Sequence, residues 1–365
     1  MIPIYKPYLT KENLKFAHSA IDSGWISSQG DYLDFAKNEL KSLLNSKRII
    51  LTNNGTSATH LLALALKFKY PNINRLIVPN NVYVAAWNSF LFDKNYELIP
   101  IDSNLDTWNF DYEQIEKHLD EKTAILVVHN IGNIVNVPKL QRRFPETIIL
   151  EDNCEGFLGE YENFKTGTKS FAASVSFFGN KTITSGEGGA FITNDDEVFN
   201  YINVVKNQGQ SDVKFIHETL GYNYRMTNLQ AAILFGQLQD LEKISSMKQT
   251  IFDNYRKNFE DIDEITTQKI ESETKHSNWM FGVRFPNFSL TDKKNLELYL
   301  FESGVDTRPM FFPIDRHKYL NNLNCQTTNS KLLNEQCLIL PSFPELTESQ
   351  ITYISNKIKK FLVTK

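Results

Sequence analysis

Between residues 45 and 200, short apolar runs alternate with segments whose apolar positions recur at helical spacing. The runs "RIILT" (48–52), "LIVP" (76–79), "ELIPID" (97–102), "AILVVHN" (124–130) and "TIILED" (147–152) have the near-continuous apolar composition of strands buried on both faces. Between them "SATHLLALALKF", "VAAWNSFLF", "YEQIEKHL" and "PKLQRRF" read as helices, and "ASVSFFG" (173–179) and "GAFITND" (189–195) as two further strands. This alternation predicts an α/β fold with a mostly parallel sheet. Beyond it, "LQAAILFGQLQDLEKISSMKQTIFDNYRKNF" predicts one or two long helices. The pieces "NWMFGVRF", "GVDTRPMFF" and "QITYISNKIKKFL" predict a smaller α+β unit. We therefore expect a large domain over residues 1–235 and a small one over 236–365, tightly packed because no Gly/Ser linker separates them.

Composition narrows the chemistry. A net charge of −4, with Lys and Arg scattered among Asp and Glu, argues against a broad grip on nucleic acid or an anionic membrane. Cys154, Cys325 and Cys337 are too few for a disulfide scaffold, and the seven histidines show no metal-site spacing. No apolar run approaches bilayer length and the opening "MIPIYKPYLTKENL" lacks a secretory pattern, so a cytoplasmic location is expected.

In sheets of this kind ligands sit at the carboxyl ends of strands, and three polar groups fall there. In "LTNNGTSATHLL" a strand end meets a glycine and hydroxyl residues opening a helix. Such a helix start suits a phosphate, with Gly55 allowing close approach; Thr56 or Ser57 acting only as a helix cap is the plainer reading. Asp152 ends a very apolar run, where it needs a partner such as a cationic ring nitrogen, or else caps a loop. Lys181 sits in "SFFGNKTITSGEGGA", which fails the GxxxxGK[ST] phosphate-loop spacing. It is either a solvated loop cation or an amine nucleophile with a depressed pKa. Ser176, five residues earlier, could reach a phosphate, and Gly186, Gly188 and Gly189 permit a tight turn behind the lysine. Together these are the parts of a pyridoxal phosphate enzyme.

The successive motifs "NNGTSATHLLAL", "VPNNVYVAAWNS", "EDNCEGFLGEY", "SFFGNKTITSGEGGAFITNDD", "GYNYRMTNLQAAI" and "GVDTRPMFFPID" resemble those of the DegT/DnrJ/EryC1/StrS nucleotide-sugar aminotransferases over almost the whole chain. The lysine stretch with "SGWISS" is particularly similar to members that aminate C4 of a nucleotide-linked 4-keto-6-deoxyhexose, the perosamine and viosamine synthases. The resemblance implies an aspartate-aminotransferase-type fold, pyridoxal 5′-phosphate as cofactor and L-glutamate as amino donor. It also implies a homodimer with shared active sites. By the same resemblance Lys181 would bond to the cofactor, Asp152 would pair with the pyridine nitrogen and Glu155 would lie near the ring hydroxyl. Tyr83 would stack on the ring. Thr56, Ser57 and Ser176 would hold the phosphate, with Asn223 reaching it from the neighbouring subunit. Trp25, Ser27, Ser28, Arg225 and Arg308 would line the sugar and nucleotide sites. Three places depart from the family pattern: Asn153-Cys154 after the acid, "HNIG" (129–132) for "HLYG", and Asp315 for a histidine, with His317 two places on. Amination at C3 is the alternative within the fold, and a non-catalytic cofactor-binding homologue the alternative outside it. A dehydratase is disfavoured because those relatives replace the lysine with histidine.

Overall fold

The computed structural model describes residues 1–46, 48–323 and 325–364. The apolar runs form strands β1 (Arg48–Thr52), β2 (Arg75–Pro79), β3 (Glu97–Ile101), β4 (Thr123–Val128) and β5 (Ile149–Asp152). A small hairpin, β6 (Glu160–Tyr161) and β7 (Phe164–Lys165), precedes β8 (Ala172–Ser176) and β9 (Gly189–Thr193). Seven of these build one sheet in the order β1-β9-β8-β5-β4-β2-β3. Its strands are parallel apart from β9, which runs antiparallel to both β1 and β8. The α/β class read from the sequence is the class found.

Helices α1 (Lys11–Asp22), α2 (Asp31–Leu44), α3 (Gly55–Lys69), α4 (Ala85–Leu91), α5 (Val137–Arg143), α6 (Asp196–Val205) and α7 (Asn228–Gln239) accompany this sheet. Alternate strand residues point to opposite faces, so each strand feeds two cores. Leu76, Val78, Leu126 and Val128 join α3, α4 and α6 on one face. Ile77, Ile125, Val127 and Ile149 join α5 on the other, where α2 and α7 also cover β1, β8 and β9.

The remaining chain forms α8 (Leu241–Phe259), β10 (Thr274–Lys275), β11 (Phe281–Arg284), α9 (Leu290–Glu302), β12 (Arg308–Pro309), α10 (Thr328–Gln336), β13 (Cys337–Leu340) and α11 (Glu348–Thr364). Strand β10 pairs with the β6–β7 hairpin, and the other three make an antiparallel sheet β11-β13-β12. Of the one or two long helices expected here two form, α7 and α8, meeting at Asp240, and the packing changes along α8. Ile244 belongs to the core of the large sheet, whereas Ile251, Phe252, Tyr255 and Phe259 belong to a second core with α9, α11, β11 and β13.

The helix expected at "YEQIEKHL" is instead two single 3₁₀ turns, Tyr112–Gln114 and Glu116–His118. Ile115 is the one fully buried residue there, too little apolar surface to hold a longer helix on the sheet. The N-terminal helices α1 and α2 and the later α9 and α10 were not read as elements from the sequence.

An apolar layer of Ile4, Trp108, Ile131, Trp279, Met280, Met310 and Ile339 joins the two sheets. Trp108 is completely buried, and its ring lies so close to β11 that a Cβ built at Gly282 would fall 2.5 Å from it. Trp108→Ala should therefore cost about 3–5 kcal/mol, the range for emptying a buried aromatic site. A fall in the urea midpoint checks this; a loss below about 1 kcal/mol would show that the layer does not join the two cores.

Candidate active site

Helix α3 starts where β1 ends, and Asn54 caps it: its side chain accepts the Ser57 N–H at 2.8 Å. The first intrahelical bond is Ala58 N–H to the Asn54 carbonyl, so the Gly55 and Thr56 amides precede the helical ladder and point at whatever lies beyond the strand end. Neither hydroxyl residue proposed from the sequence is the cap. A Cβ at Gly55 would lie 2.6 Å from Ser176 Cβ, so only glycine lets α3 approach the end of β8 this closely.

Strand β5 delivers Asp152 beside Ser174 of β8, its register partner. The Asp152 carboxylate accepts the Cys154 N–H at 3.1 Å through Oδ1, leaving Oδ2 for a cation in the cavity. Burial, reinforced by the Asp152 charge, pushes the Cys154 thiol well above its usual range and keeps it protonated. Glu155 follows and is buried. Its Oε2 accepts the Ile131 N–H at 2.8 Å from a residue held at φ +57°, a left-handed conformation unusual for a β-branched side chain. The departure "HNIG" thus supplies a main-chain donor, and Ser277 Oγ holds the Glu155 carbonyl at 2.7 Å.

Lys181 rides on the loop joining β8 to β9. Thr184 Oγ1 and the Ser185 N–H both donate to the Phe177 carbonyl, each at 2.9 Å, while Phe177 N–H donates to Gly188 O at 2.9 Å. The hydroxyl residues close the loop, and Gly188 is small because its Cβ would lie 2.3 Å from Ser185 Oγ. Two residues from elsewhere pin the lysine's main chain. Tyr5 donates its hydroxyl to the Lys181 carbonyl at 2.7 Å, and Trp279 donates Nε1–H to the Asn180 carbonyl at 2.8 Å. The Lys181 amine lies 3.9 Å from the centroid of the Trp279 ring.

These elements enclose a cavity of about 410 Å³ lined by Gly55, Thr56, Tyr83, Asp152, Glu155, Ser176, Lys181 and Arg308, eight of the fourteen residues singled out in the sequence. Asn54, Cys154, Phe178, Asn180, Glu187, Trp279 and Phe311 also line it, as do Thr59, Ala85, Ala86 and Val128. Ser57 does not line it, because its N–H is taken by Asn54. Trp25, Ser27 and Ser28 lie elsewhere, on a loop fastened to the start of α7 by bonds from Asn228 to the Trp25 and Ser27 carbonyls. Asn223 and Arg225 are joined to each other at 3.0 Å, Arg225 also reaches Asn207, and neither lines the cavity of its own chain. Asp315 accepts Thr327 Oγ1 at 3.2 Å, and the His317 ring packs against Trp87. Among the described residues no His, Cys, Asp and Glu cluster could hold a metal, and no helix is long and apolar enough to cross a membrane.

The wall brings free amides, a buried carboxylate and a primary amine together at strand ends, and residues 7–359 match the pattern of the DegT/DnrJ/EryC1/StrS aminotransferase family. The chain belongs to that family. It is 32% identical to GDP-perosamine synthase of Escherichia coli O157:H7 over 368 residues, covering 99% of this chain and 98% of the relative. It is 31% identical to GDP-perosamine synthase of Vibrio cholerae, covering 99% of both. In fold it is similar to PseC of Helicobacter pylori, an aminotransferase involved in pseudaminic acid biosynthesis, with a TM-score of 0.93, full coverage of both chains and 23% identity.

As a DegT-family member, the chain is a sugar aminotransferase with pyridoxal phosphate as its cofactor. The residues present fit that group. The Gly55–Thr56 amides and Ser176 hydroxyl meet an oxyanion, Asp152 meets a ring cation, and Lys181 offers the amine.

The Glu155 carboxyl is pushed up to about 7, first by burial, with the nearby Lys181 amine and the Ile131 N–H opposing and Asp152 adding to the rise. Because this value lies above the unfolded one, the contribution is complete at low pH and is lost as pH rises through the folded value. Between pH 4.5 and 7 the cofactor-free chain should therefore lose up to about 3 kcal/mol, at ~1.4 kcal/mol per pH unit, that Glu155→Gln retains. Denaturant midpoints across that window test it; parallel curves for the two proteins would refute it.

Proposed function

We propose that this enzyme transfers the amino group of L-glutamate to C4 of a GDP-linked 4-keto-6-deoxyhexose, giving a 4-amino-4,6-dideoxy sugar of the perosamine type. The observation that carries this reading is the full-length likeness to two GDP-perosamine synthases, in a chain whose cavity holds the amine of Lys181. Bound in the cavity, pyridoxal phosphate supplies the electron sink that stabilises a carbanion. Everything else falls to the chain. The Gly55 and Thr56 amides and Ser176 hold the phosphate, and Asp152 keeps the ring nitrogen protonated. Tyr83, at the cavity mouth, covers the ring. Lys181, with its root pinned and its tip free, would take the proton from the donor carbon and deliver it to the cofactor, and in the second half-reaction would carry a proton from the cofactor to C4 of the sugar. Arg308 lies on the open side, where an anionic nucleotide would enter.

We further propose that the enzyme works as a homodimer in the cytoplasm, with Asn223, Arg225 and the loop of Trp25, Ser27 and Ser28 serving the partner's cavity. In support, these residues lie outside the cavity of their own chain, and Trp25, Val213, Phe215 and Leu220 expose 57%, 63%, 78% and 84% of their surface. A second copy of the chain would cover such apolar side chains.

Lys181→Ala should abolish both the visible absorbance of the holoenzyme and turnover; transamination that survives would sink the assignment of the lysine. Incubation with L-glutamate and a panel of GDP-, dTDP- and UDP-linked 4-keto and 3-keto sugars should give a GDP-linked 4-amino product by mass and NMR. A 3-amino product would move the reading to C3. Mixing Lys181→Ala with Asn223→Ala chains should restore activity that neither has alone, since a mixed dimer holds one complete site; a mixture as inactive as its components would rule out shared sites.

A further inference from the structure

We propose that the face of the Trp279 indole is the seat of the free Lys181 ammonium, fixed there by Lys248 through the Trp279 carbonyl. The inference deepens the reading of Lys181 given above and rests on it for its catalytic consequence. Three contacts meet at Trp279. Its ring centroid lies 3.9 Å from Lys181 Nζ, its Nε1–H donates to the Asn180 carbonyl at 2.8 Å, and its own carbonyl accepts Lys248 Nζ at 2.7 Å. Lys248 is buried in α8, where it also donates to the Ser342 carbonyl and lies 5.3 Å from the Tyr5 ring centroid. Tyr5 is the residue that holds the Lys181 carbonyl. One buried amine thus lies behind both groups that pin the lysine's main chain, and fixes the ring beneath its tip.

Burial alone brings the Lys248 amine down to about 7. It can donate to the two carbonyls in either protonation state, so its part is positional. The part of Trp279 is electrostatic, because among aromatic rings indole attracts a cation most strongly, and more so when water is excluded. A lysine displaced from its cofactor has to remain within reach for the return step. An aromatic face offers the ammonium attraction without a counter-charge that would hold it permanently. The other titratable groups facing Lys181 across the cavity are Tyr83, Asp152, Cys154, Glu155, Glu187 and Arg308. Substitution at Trp279 removes none of these groups.

The test follows Lys181 in the cofactor-free, full-length chain by competitive acetylation at neutral pH, quantified at the Lys181 peptide by mass spectrometry. Trp279→Leu should raise the acetylation of Lys181 several-fold, and Trp279→Phe by less, because the ammonium loses the ring that holds it. Unchanged reactivity in Trp279→Leu overturns the seat. Lys248→Met should change the reactivity in the same direction as Trp279→Leu; no change overturns the anchor. Far-UV circular dichroism establishes that each variant folds, and Lys248→Gln, which keeps an amide donor, replaces Lys248→Met if the latter does not. In the holoenzyme, Trp279→Leu should lower kcat more than KM rises, because the returning amine is misplaced. If visible absorbance persists in Lys181→Ala, the reading of the lysine fails, while the acetylation response to Trp279 still decides the seat.

Discussion

A lysine proposed to bond, release and return needs a fixed root and a free tip, and the architecture around Lys181 meets that requirement. The root is fixed because β9 runs against β8. Antiparallel neighbours can be joined by a loop that stays at one end of the sheet, whereas a parallel pair needs a crossover to the other end. The twelve positions from Phe177 to Gly188 therefore remain at the carboxyl edge, beside Asp152 and the start of α3. Were β9 parallel, this stretch would be consumed by the return path. The single reversal in an otherwise parallel sheet thus keeps the amine at the ligand edge.

The apolar layer between the sheets carries this constraint further. Trp108, Ile131 and Trp279 pack in one cluster with residues of the second sheet. Two of them also act on the cavity, Ile131 through its N–H on Glu155 and Trp279 through its ring beneath Lys181. The second core is therefore part of the site's wall, and its fit against the large sheet sets the shape of the cavity. The unusual backbone of Ile131 is tolerated because its side chain is buried on one side of the peptide and its N–H is satisfied on the other.

Much of this was legible in the sequence. The apolar runs marked every strand of the large sheet, because strands buried on both faces leave little room for polar residues. Lys181, Asp152, Ser176 and Gly55 were legible because each is an unusual residue at a strand end, and their combination is specific. Trp279, Tyr5 and Lys248 were not. Their roles depend on main-chain carbonyls between 31 and 176 positions away or on a ring face, and no local pattern records such contacts. Asn54 could have been found, since Asn-Gly at the end of a strand and before an Ala- and Leu-rich run is a capping signal. The short turns at residues 112–118 were misread because apolar spacing alone does not say how much surface a segment buries.

The first five residues of the chain are seated on its last third. Ile2 bridges to Val305, Ile4 N–H donates to Asp306, Ser342 N–H donates to the Ile4 carbonyl, and Tyr5 then reaches Lys181. The surface these residues need is supplied some three hundred positions along the chain. Two distant stretches of the sequence thus meet at the loop of Lys181, so that loosening either one would release a hold on its main chain.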